Sequence, residues 1–188
     1  LEHAASVGLK AVSMSTGVPE GAEDYNREYW EPFWSACEET GMVLAFHIGS
    51  DNDGYGNTRF RGPGGAVMNY VNTTYGGQYV AMKLVTAGVF ERHPGLKALI
   101  SEGGSTWVPF LGDRMNEGYR QHNMFVRPQL KRLPKEYLYE HVYTSFQHDE
   151  SGPAANWAMG YTNAMFGSDY PHLEGTFGHT QKTLHELF

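Results

Sequence analysis

The stretch Asn163-Ala164-Met165-Phe166-Gly167-Ser168-Asp169-Tyr170-Pro171-His172 is the most informative part of this chain. Its first four residues predict a short apolar strand, and the carboxylate of Asp169 follows closely. A strand that leads into Asp, with Pro and His just beyond, is disfavoured by strand propensity and typical of a chemically active loop. The stretch therefore predicts a carboxylate for metal binding or acid–base chemistry at the open end of a parallel sheet.

Short apolar runs alternate with helical patterns along the rest of the chain. Predicted strands cover residues 9–14, 42–47, 96–101, 141–146 and 163–166, and predicted helices cover 1–7, 29–40, 78–92, 107–122, 154–159 and 180–187. This alternation indicates an α/β fold with a parallel sheet and right-handed crossovers. Two architectures fit, an open doubly wound sheet or part of a (β/α)8 barrel of the TIM type. No Gly-x-Gly-x-x-Gly follows a strand and no Walker A motif is present, which disfavours the nucleotide-binding forms of the open sheet.

One long segment interrupts the alternation. Residues 49–77 are rich in Gly, Asn, Asp and aromatic side chains. We predict a loop over this range, and because loops of this length are usually functional, we interpret it as a lid or substrate loop.

Composition excludes several classes of function. The 188 residues are enough for one domain with a core, and 40% hydrophobic and 19% charged residues are typical of a globular protein. With a net charge of −7 and scattered basic residues, the chain is not expected to bind nucleic acid. No apolar run approaches the roughly 18 residues of a membrane span. The single cysteine, Cys37, reads as a buried packing thiol and favours a reducing, cytoplasmic location.

Four of the five predicted strands lead into side chains that bind metals or exchange protons. These are His47, Glu102, His148 with Asp149, and Asp169 with His172. In parallel α/β folds the carboxyl ends of the strands meet at one edge, where ligands bind. Imidazole and carboxylate suit one divalent metal ion, with zinc first and manganese or iron as alternatives.

Four sequence features together resemble the amidohydrolase-related family, the branch of the amidohydrolase superfamily that includes aminocarboxymuconate semialdehyde decarboxylase. They are His47 after its apolar strand, the helix stop Arg92-His93-Pro94-Gly95-Leu96-Lys97, Glu102-Gly103-Gly104 with Trp107 and Pro109, and Gly167–His172 with Glu174-Gly175-Thr176. The resemblance extends over nearly the whole chain, in the same order as in the family.

The resemblance implies a distorted (β/α)8 barrel with one divalent metal. It implies that His47 is the metal-binding histidine of the fifth barrel strand, and that Asp169 is the eighth-strand carboxylate, which binds metal and exchanges protons. The family often has His before a Gly pair on the sixth strand, where this chain has Glu102. We therefore expect Glu102 to act as a ligand, a base or a structural acceptor.

The family also carries a metal-binding pair on its first strand, and nothing similar precedes His47. We expect the chain to supply barrel strands four to eight as one domain over residues 1–188, incomplete at its N-terminus. Missing strands would expose a sheet edge, so we expect association into a homo-oligomer or with another chain through that edge.

Other residues are weaker candidates for the site. Arg59 and Arg61 are predicted to bind a substrate carboxylate, and His172 is predicted to assist Asp169. Trp107 and His148 are predicted to contact substrate, and Tyr55 and Tyr75 are further candidates for facing an aromatic one.

Three functions remain open at this stage. The first is a metal-dependent hydrolase acting on a small amide, ester or lactone. The second is a metal-dependent decarboxylase of an aromatic or enoic acid, which uses the same site with a protonated group that delivers H⁺ to carbon. The third is an inactive half-barrel or one piece of an assembly.

Overall fold

A computed structural model describes residues 1–50 and 59–188. Its sheet is formed by the strands β1 (Ala11–Ser15), β2 (Val43–His47), β3 (Ala98–Ser101), β4 (Val142–Phe146) and β5 (Ala164–Phe166). The helices are α1 (Glu2–Ser6), α2 (Glu31–Thr40), α3 (Gly65–Thr86), α4 (Val89–Arg92), α5 (Trp107–His122), α6 (Pro134–His141), α7 (Gly152–Met159) and α8 (Thr180–Leu187). Every helix in this part of the chain is too short or too polar to cross a bilayer.

The strand order decides between the two predicted architectures. The strands lie side by side in chain order from β1 to β5, and every neighbouring pair is parallel. In a flavodoxin-like open sheet the first strand would lie inside the sheet, whereas here it lies at the edge. The arrangement is that of consecutive strands of a (β/α)8 barrel, as the barrel interpretation predicts.

The hydrophobic core lies between the sheet and its helices. Leu44 and Phe46 of β2 and Ile100 of β3 are fully buried, and Trp34 of α2 packs in the same cluster. Helix α2 ends at Gly41, whose φ of 68° is a left-handed conformation that glycine adopts without strain. The predicted end of this helix is thus confirmed.

Helix α3 corrects the predicted loop over residues 49–77. The helix begins at Gly65, so the loop prediction is wrong for residues 65–77, and residues 51–58, with the candidate Tyr55, lie outside the described part of the chain. The buried Gly76 and Gly77 gave this segment a low helix propensity. The glycines are needed because a Cβ on Gly77 would lie 2.4 Å from Ile100 Cγ2, and one on Gly76 would lie 2.7 Å from Thr16 Oγ1.

Helix α6 has no counterpart among the predicted elements. Pro134 occupies its first turn, and the Glu136 side chain accepts a hydrogen bond from the Leu133 backbone N–H at 3.0 Å, which caps the helix. His141, predicted to begin a strand, is the last residue of this helix. Its buried ring lies parallel to that of Phe90, and its Nδ1 lies 3.0 Å from the Leu96 carbonyl oxygen.

Candidate active site

Three strands deliver ionisable side chains to one edge of the sheet. His47 is the last residue of β2, Glu102 directly follows β3, and Asp169 comes shortly after β5. Because the strands are parallel, their carboxyl ends open on the same side. The structure therefore places these three side chains at a common edge, with His172 close by in the loop that follows β5.

The imidazole of His47 and the carboxylate of Glu102 are in direct contact. His47 Nε2 lies 2.7 Å from Glu102 Oε2, and His47 Nδ1 lies 2.8 Å from the Ile48 carbonyl oxygen. A carbonyl oxygen only accepts hydrogen bonds, so Nδ1 carries a proton. The 2.7 Å separation of His47 Nε2 and Glu102 Oε2 is that of a hydrogen bond, so one of these two atoms also carries a proton.

Asp169 and His172 form a second pair beside the first. His172 Nδ1 lies 2.7 Å from Asp169 Oδ2, 3.8 Å from Glu102 Oε1 and 3.5 Å from Glu174 Oε1. The imidazole of His172 thus faces three carboxylates, and its shortest contact is with Asp169. The two acid–imidazole pairs meet where His172 approaches Glu102.

Both acids lie on a left-handed backbone. The φ angle is 63° at Glu102 and 55° at Asp169, and these are the two non-glycine residues with positive φ in the described part of the chain. Such a conformation costs an L-residue about 1–2 kcal/mol and tends to occur at functional sites. Near Asp169, a Cβ on Gly175 would lie 2.6 Å from the Ser168 carbonyl oxygen, so glycine is required for this loop to close.

The environment favours the protonated forms of two groups. Burial raises the pKa of the Glu102 carboxyl group, and the negative charge of Asp169 raises that pKa further, while His47 and His172 oppose the effect. The hydrogen bond to Asp169 and its negative charge raise the pKa of His172. Glu102 therefore keeps a proton at higher pH than an exposed glutamate does.

The donor set fits a divalent metal ion. Glu102, Asp169 and His172 each offer a ligand atom, and these three atoms lie within 4.8 Å of one another. Ligand atoms about 2.1 Å from a shared ion lie at most about 4.2 Å apart, so a small inward movement would bring them onto one ion. His47 Nε2 lies 2.7 Å from Glu102 Oε2, so His47 offers a second imidazole ligand to the same ion. Mixed nitrogen and oxygen ligands suit zinc, manganese and iron.

A cavity of about 460 Å³ opens beside Glu102. It is lined by the glycine pair after β3 and by Tyr70 and Thr74 of α3. The remaining lining residues are Thr106, Trp107, Gln147, His148, Asp149 and Ser151. A space of this size accommodates a small organic molecule next to the ionisable cluster.

The predicted substrate-binding residues fall into two groups. Trp107 and His148 line the cavity, whereas Arg59 and Arg61 do not. The indole N–H of Trp107 donates to the carbonyl oxygens of Gly103 and Gly104, at 3.0 Å each. Because that N–H is already used, Trp107 would contact a ligand through the face of its ring. His148 Nε2 lies 3.2 Å from the Glu174 carbonyl oxygen, and the Arg59 guanidinium lies 5.7 Å from the ring centroid of Phe60.

Asp149 has a structural contact at the cavity wall. Its Oδ2 accepts a hydrogen bond from the backbone N–H of Ser105 at 2.6 Å, which ties the loop after β4 to the turn before α5. A Cβ on Gly104 or on Gly152 would approach the Asp149 side chain within 3 Å, so both glycines are required by this carboxylate.

Three residues of the site were missed by the sequence reasoning. Tyr70 was missed because its helix was predicted as a loop, and Glu174 because it was used as part of the family motif without a role at the site. Burial raises the pKa of the Tyr70 phenol, and the negative charges of Glu174, Glu102, Asp149 and Asp169 raise that pKa further. Ser145, the third, contacts the backbone of Glu102, and no local pattern indicates such a contact.

Comparisons with known proteins agree with the fold described above. The family model described as "Amidohydrolase" matches residues 1–188. The fold is similar to that of an amidohydrolase from Mycobacterium avium subsp. paratuberculosis K-10, with a TM-score of 0.79 and 23% identity over 99% of this chain and 48% of that one.

Two decarboxylases have the same fold. One is the 5-carboxyvanillate decarboxylase LigW from Sphingomonas paucimobilis, with a TM-score of 0.72 and 21% identity over 98% of this chain and 54% of that one. Another is a 5-carboxyvanillate decarboxylase from Novosphingobium aromaticivorans, solved with manganese and 3-methoxy-4-hydroxy-5-nitrobenzoic acid, with a TM-score of 0.64 and 18% identity over 90% and 50% of the two chains. The chain spans about half the length of the solved structures it matches.

Proposed function

Since this chain belongs to the amidohydrolase family, we propose that its site is a metal-dependent acid–base centre that hydrolyses a small organic substrate. One observation carries the proposal. The ligand atoms of Glu102, Asp169 and His172 lie within 4.8 Å of one another at the open end of parallel strands, next to a cavity of about 460 Å³. A structural salt-bridge network would not require an adjoining cavity.

The residues of the site divide the chemistry among them. His47, Asp169 and Glu102 would hold a divalent ion, which when bound supplies Lewis-acid polarisation and lowers the pKa of water. Asp169 Oδ2 accepts the proton of the attacking water, while His172 Nδ1 at 2.7 Å holds that carboxylate in place. Asp169 then passes that proton to the leaving group, while Glu102 stays deprotonated as a ligand of the ion.

Decarboxylation of an aromatic or enoic acid is the second candidate, and the raised pKa of Glu102 favours it. In that reaction His47 and Asp169 would hold the ion, and Glu102, protonated and not a ligand, would deliver its proton to the carbon from which CO₂ departs. The likeness in fold to two 5-carboxyvanillate decarboxylases is consistent with this alternative.

The cavity suggests how a substrate is held. The rings of Tyr70 and Trp107 would face a planar substrate, and His148 would contact its polar edge. Arg59 and Arg61 would pair with a substrate carboxylate. The substrate is therefore expected to be a small organic acid or its amide, ester or lactone.

Zinc is the ion we propose first, because imidazole and carboxylate are its usual ligands in hydrolases. Manganese is the alternative, since it is bound in one of the decarboxylases with this fold. The ion is identified by mass spectrometry of the protein purified without chelators. If a chain extended at its N-terminus by the expected first three barrel strands contained no stoichiometric metal, the proposal would be contradicted.

The reaction is tested with one panel of lactones, amides and aromatic acids, monitored for proton release and for CO₂. The variant Asp169→Asn is expected to lose turnover by at least about 10²-fold. Asp113→Asn is the matched control, because Asp113 lies on α5 and pairs with Lys135 at 2.7 Å. Unchanged turnover in Asp169→Asn would refute the role of this residue, and CO₂ release would favour decarboxylation over hydrolysis.

We further propose that the domain over residues 1–188 associates through its sheet edges, in a homo-oligomer or with a further chain segment. β1 and β5 each have one neighbour in the sheet, and Met165 of β5 is exposed. An isolated, inactive half-barrel is the contrary outcome, and mass measurement in solution with a metal assay distinguishes the two.

A cytoplasmic location is proposed because Cys37 is buried as a free thiol.

A further inference from the structure

The turn after β3 is held by a side chain of the next strand. The Glu102 backbone N–H donates a hydrogen bond to Ser145 Oγ at 2.7 Å, and the Gly104 N–H donates one to the Ser145 carbonyl oxygen at 3.1 Å. Ser145 therefore holds the turn at two points. If the parallel pairing of β3 and β4 continued, the Glu102 N–H would donate to a backbone carbonyl oxygen of β4. Here Ser145 Oγ accepts that hydrogen bond instead.

This contact matters because the backbone of Glu102 is strained. Its φ of 63° is unfavourable for any residue with a Cβ, and surrounding contacts must offset the cost. The two glycines that follow cannot supply side-chain contacts of their own. Ser145 Oγ is the hydrogen-bond acceptor that the structure records for the Glu102 N–H.

The left-handed backbone directs the Glu102 carboxylate into the site. From this conformation, Oε2 reaches His47 Nε2 at 2.7 Å and Oε1 faces His172 Nδ1 at 3.8 Å. A relaxed backbone at Glu102 would turn the side chain by a large angle about the chain direction. Its carboxylate would then no longer reach both imidazoles.

We propose that Ser145 is the positioning residue of this site, and that its hydroxyl fixes the left-handed backbone from which Glu102 reaches His47 and His172. Ser145 acts through Glu102 and does not itself touch substrate. The backbone part of this inference stands independently of the proposed function, whereas its consequence for metal binding rests on it.

A double-mutant cycle on stability tests the backbone part without any metal. Ser145→Ala is expected to raise the unfolding equilibrium constant about tenfold. In the Glu102→Gly background the same change is expected to raise it less than about threefold, because glycine adopts positive φ without strain. Ser145→Thr, which keeps a hydroxyl, should stay close to the wild type. Ser13→Ala on the exposed face of β1 is the control.

Equal effects of Ser145→Ala in both backgrounds would overturn the proposal, since the serine would then stabilise the fold without acting on the Glu102 backbone. A threonine variant as unstable as the alanine variant would do the same, because it retains the hydroxyl to which the role is assigned.

Manganese titration of the full chain tests the consequence for the site. Ser145→Ala is expected to weaken Mn²⁺ binding about tenfold, Ser145→Thr less than about threefold, and Ser13→Ala not at all. In the Glu102→Gln background, Ser145→Ala should weaken Mn²⁺ binding no further. Mn²⁺ affinity unchanged by Ser145→Ala would contradict positioning. A wild type that binds neither Zn²⁺ nor Mn²⁺ but shows the stability coupling would refute the proposed function and leave the backbone role of Ser145 supported.

Discussion

The Nε2 atom of His47 lies 2.7 Å from Oε2 of Glu102, and this contact joins the ends of two neighbouring strands. The carboxylate is 17% exposed and the imidazole 56% exposed, so solvent reaches the imidazole more than the carboxylate. Such a half-buried position raises the pKa of the acid while it leaves the imidazole accessible. Glu102 is thereby the centre of the site.

Replacing Glu102 is expected to affect binding and chemistry together. Glu102→Gln keeps the shape of the side chain but removes its ionisable proton, so turnover should fall by at least about 10²-fold. Mn²⁺ affinity should fall about tenfold or more, because an amide is a poor substitute for a carboxylate ligand. Calorimetric titration and steady-state kinetics measure the two effects. Glu39→Gln on exposed α2 surface is the control, and equal behaviour of both variants would contradict a site role for Glu102.

An added methyl group should be tolerated at a glycine of α5 and not at a glycine of α3. Gly77→Ala places a Cβ 2.4 Å from Ile100 Cγ2, so we expect a loss of about 1–3 kcal/mol in the free energy of unfolding. Gly118→Ala in α5 meets no atom within 4 Å and should stabilise the protein by about 0.5–1 kcal/mol. Urea denaturation compares the two. Similar free energies for both variants would mean that α3 does not lie against β3 as described.

Acid should weaken a charged cluster far from the site. The hydrogen bond from Arg92, followed by that from His93, lowers the pKa of Glu31 from its ordinary value of 4.5. A lowered pKa contributes stability that is complete above the ordinary value and is lost as pH falls through the folded-state pKa. Glu31→Gln should therefore cost about 1–3 kcal/mol near pH 7.

The difference between wild type and Glu31→Gln should shrink as pH falls below about 4.5. Denaturant unfolding between pH 3 and 7 measures it, with Glu39→Gln on the same helix as the comparison. A difference that does not vary with pH would show that packing, and not the charge of Glu31, produces the effect.

The thiol of Cys37 should be unreactive in the folded protein. Burial raises its pKa to about 11, so little thiolate is present at pH 8. We expect a disulfide reagent such as dithiobis-nitrobenzoate to label the folded chain at least about 10²-fold more slowly than the chain in guanidinium. Because Cys37 is the only cysteine, the absorbance change reports a single position. Equal rates in the two states would place Cys37 at the surface.

Local sequence patterns were sufficient for most of the architecture. The apolar runs that became β2 and β3, the glycine stop at Gly41 and the limits of α5 were all predictable, because periodicity and capping depend on residues close together in the chain. The same patterns were misleading in α3. There, Gly76 and Gly77 lowered the helix propensity, and only packing against Thr16 and Ile100 explains why glycines are present.

The sequence by itself determined that the strands are parallel and that their ends carry His47, Glu102 and Asp169. It left open which groups Glu102 contacts. The tertiary structure decided this, because the contact with His47 and the hydrogen bond from Glu102 to Ser145 join residues 55 and 43 positions apart, far beyond the reach of any local pattern. The left-handed backbone of Glu102 is stable only when those distant contacts offset its strain, so the geometry of the site exists only once the strands have assembled.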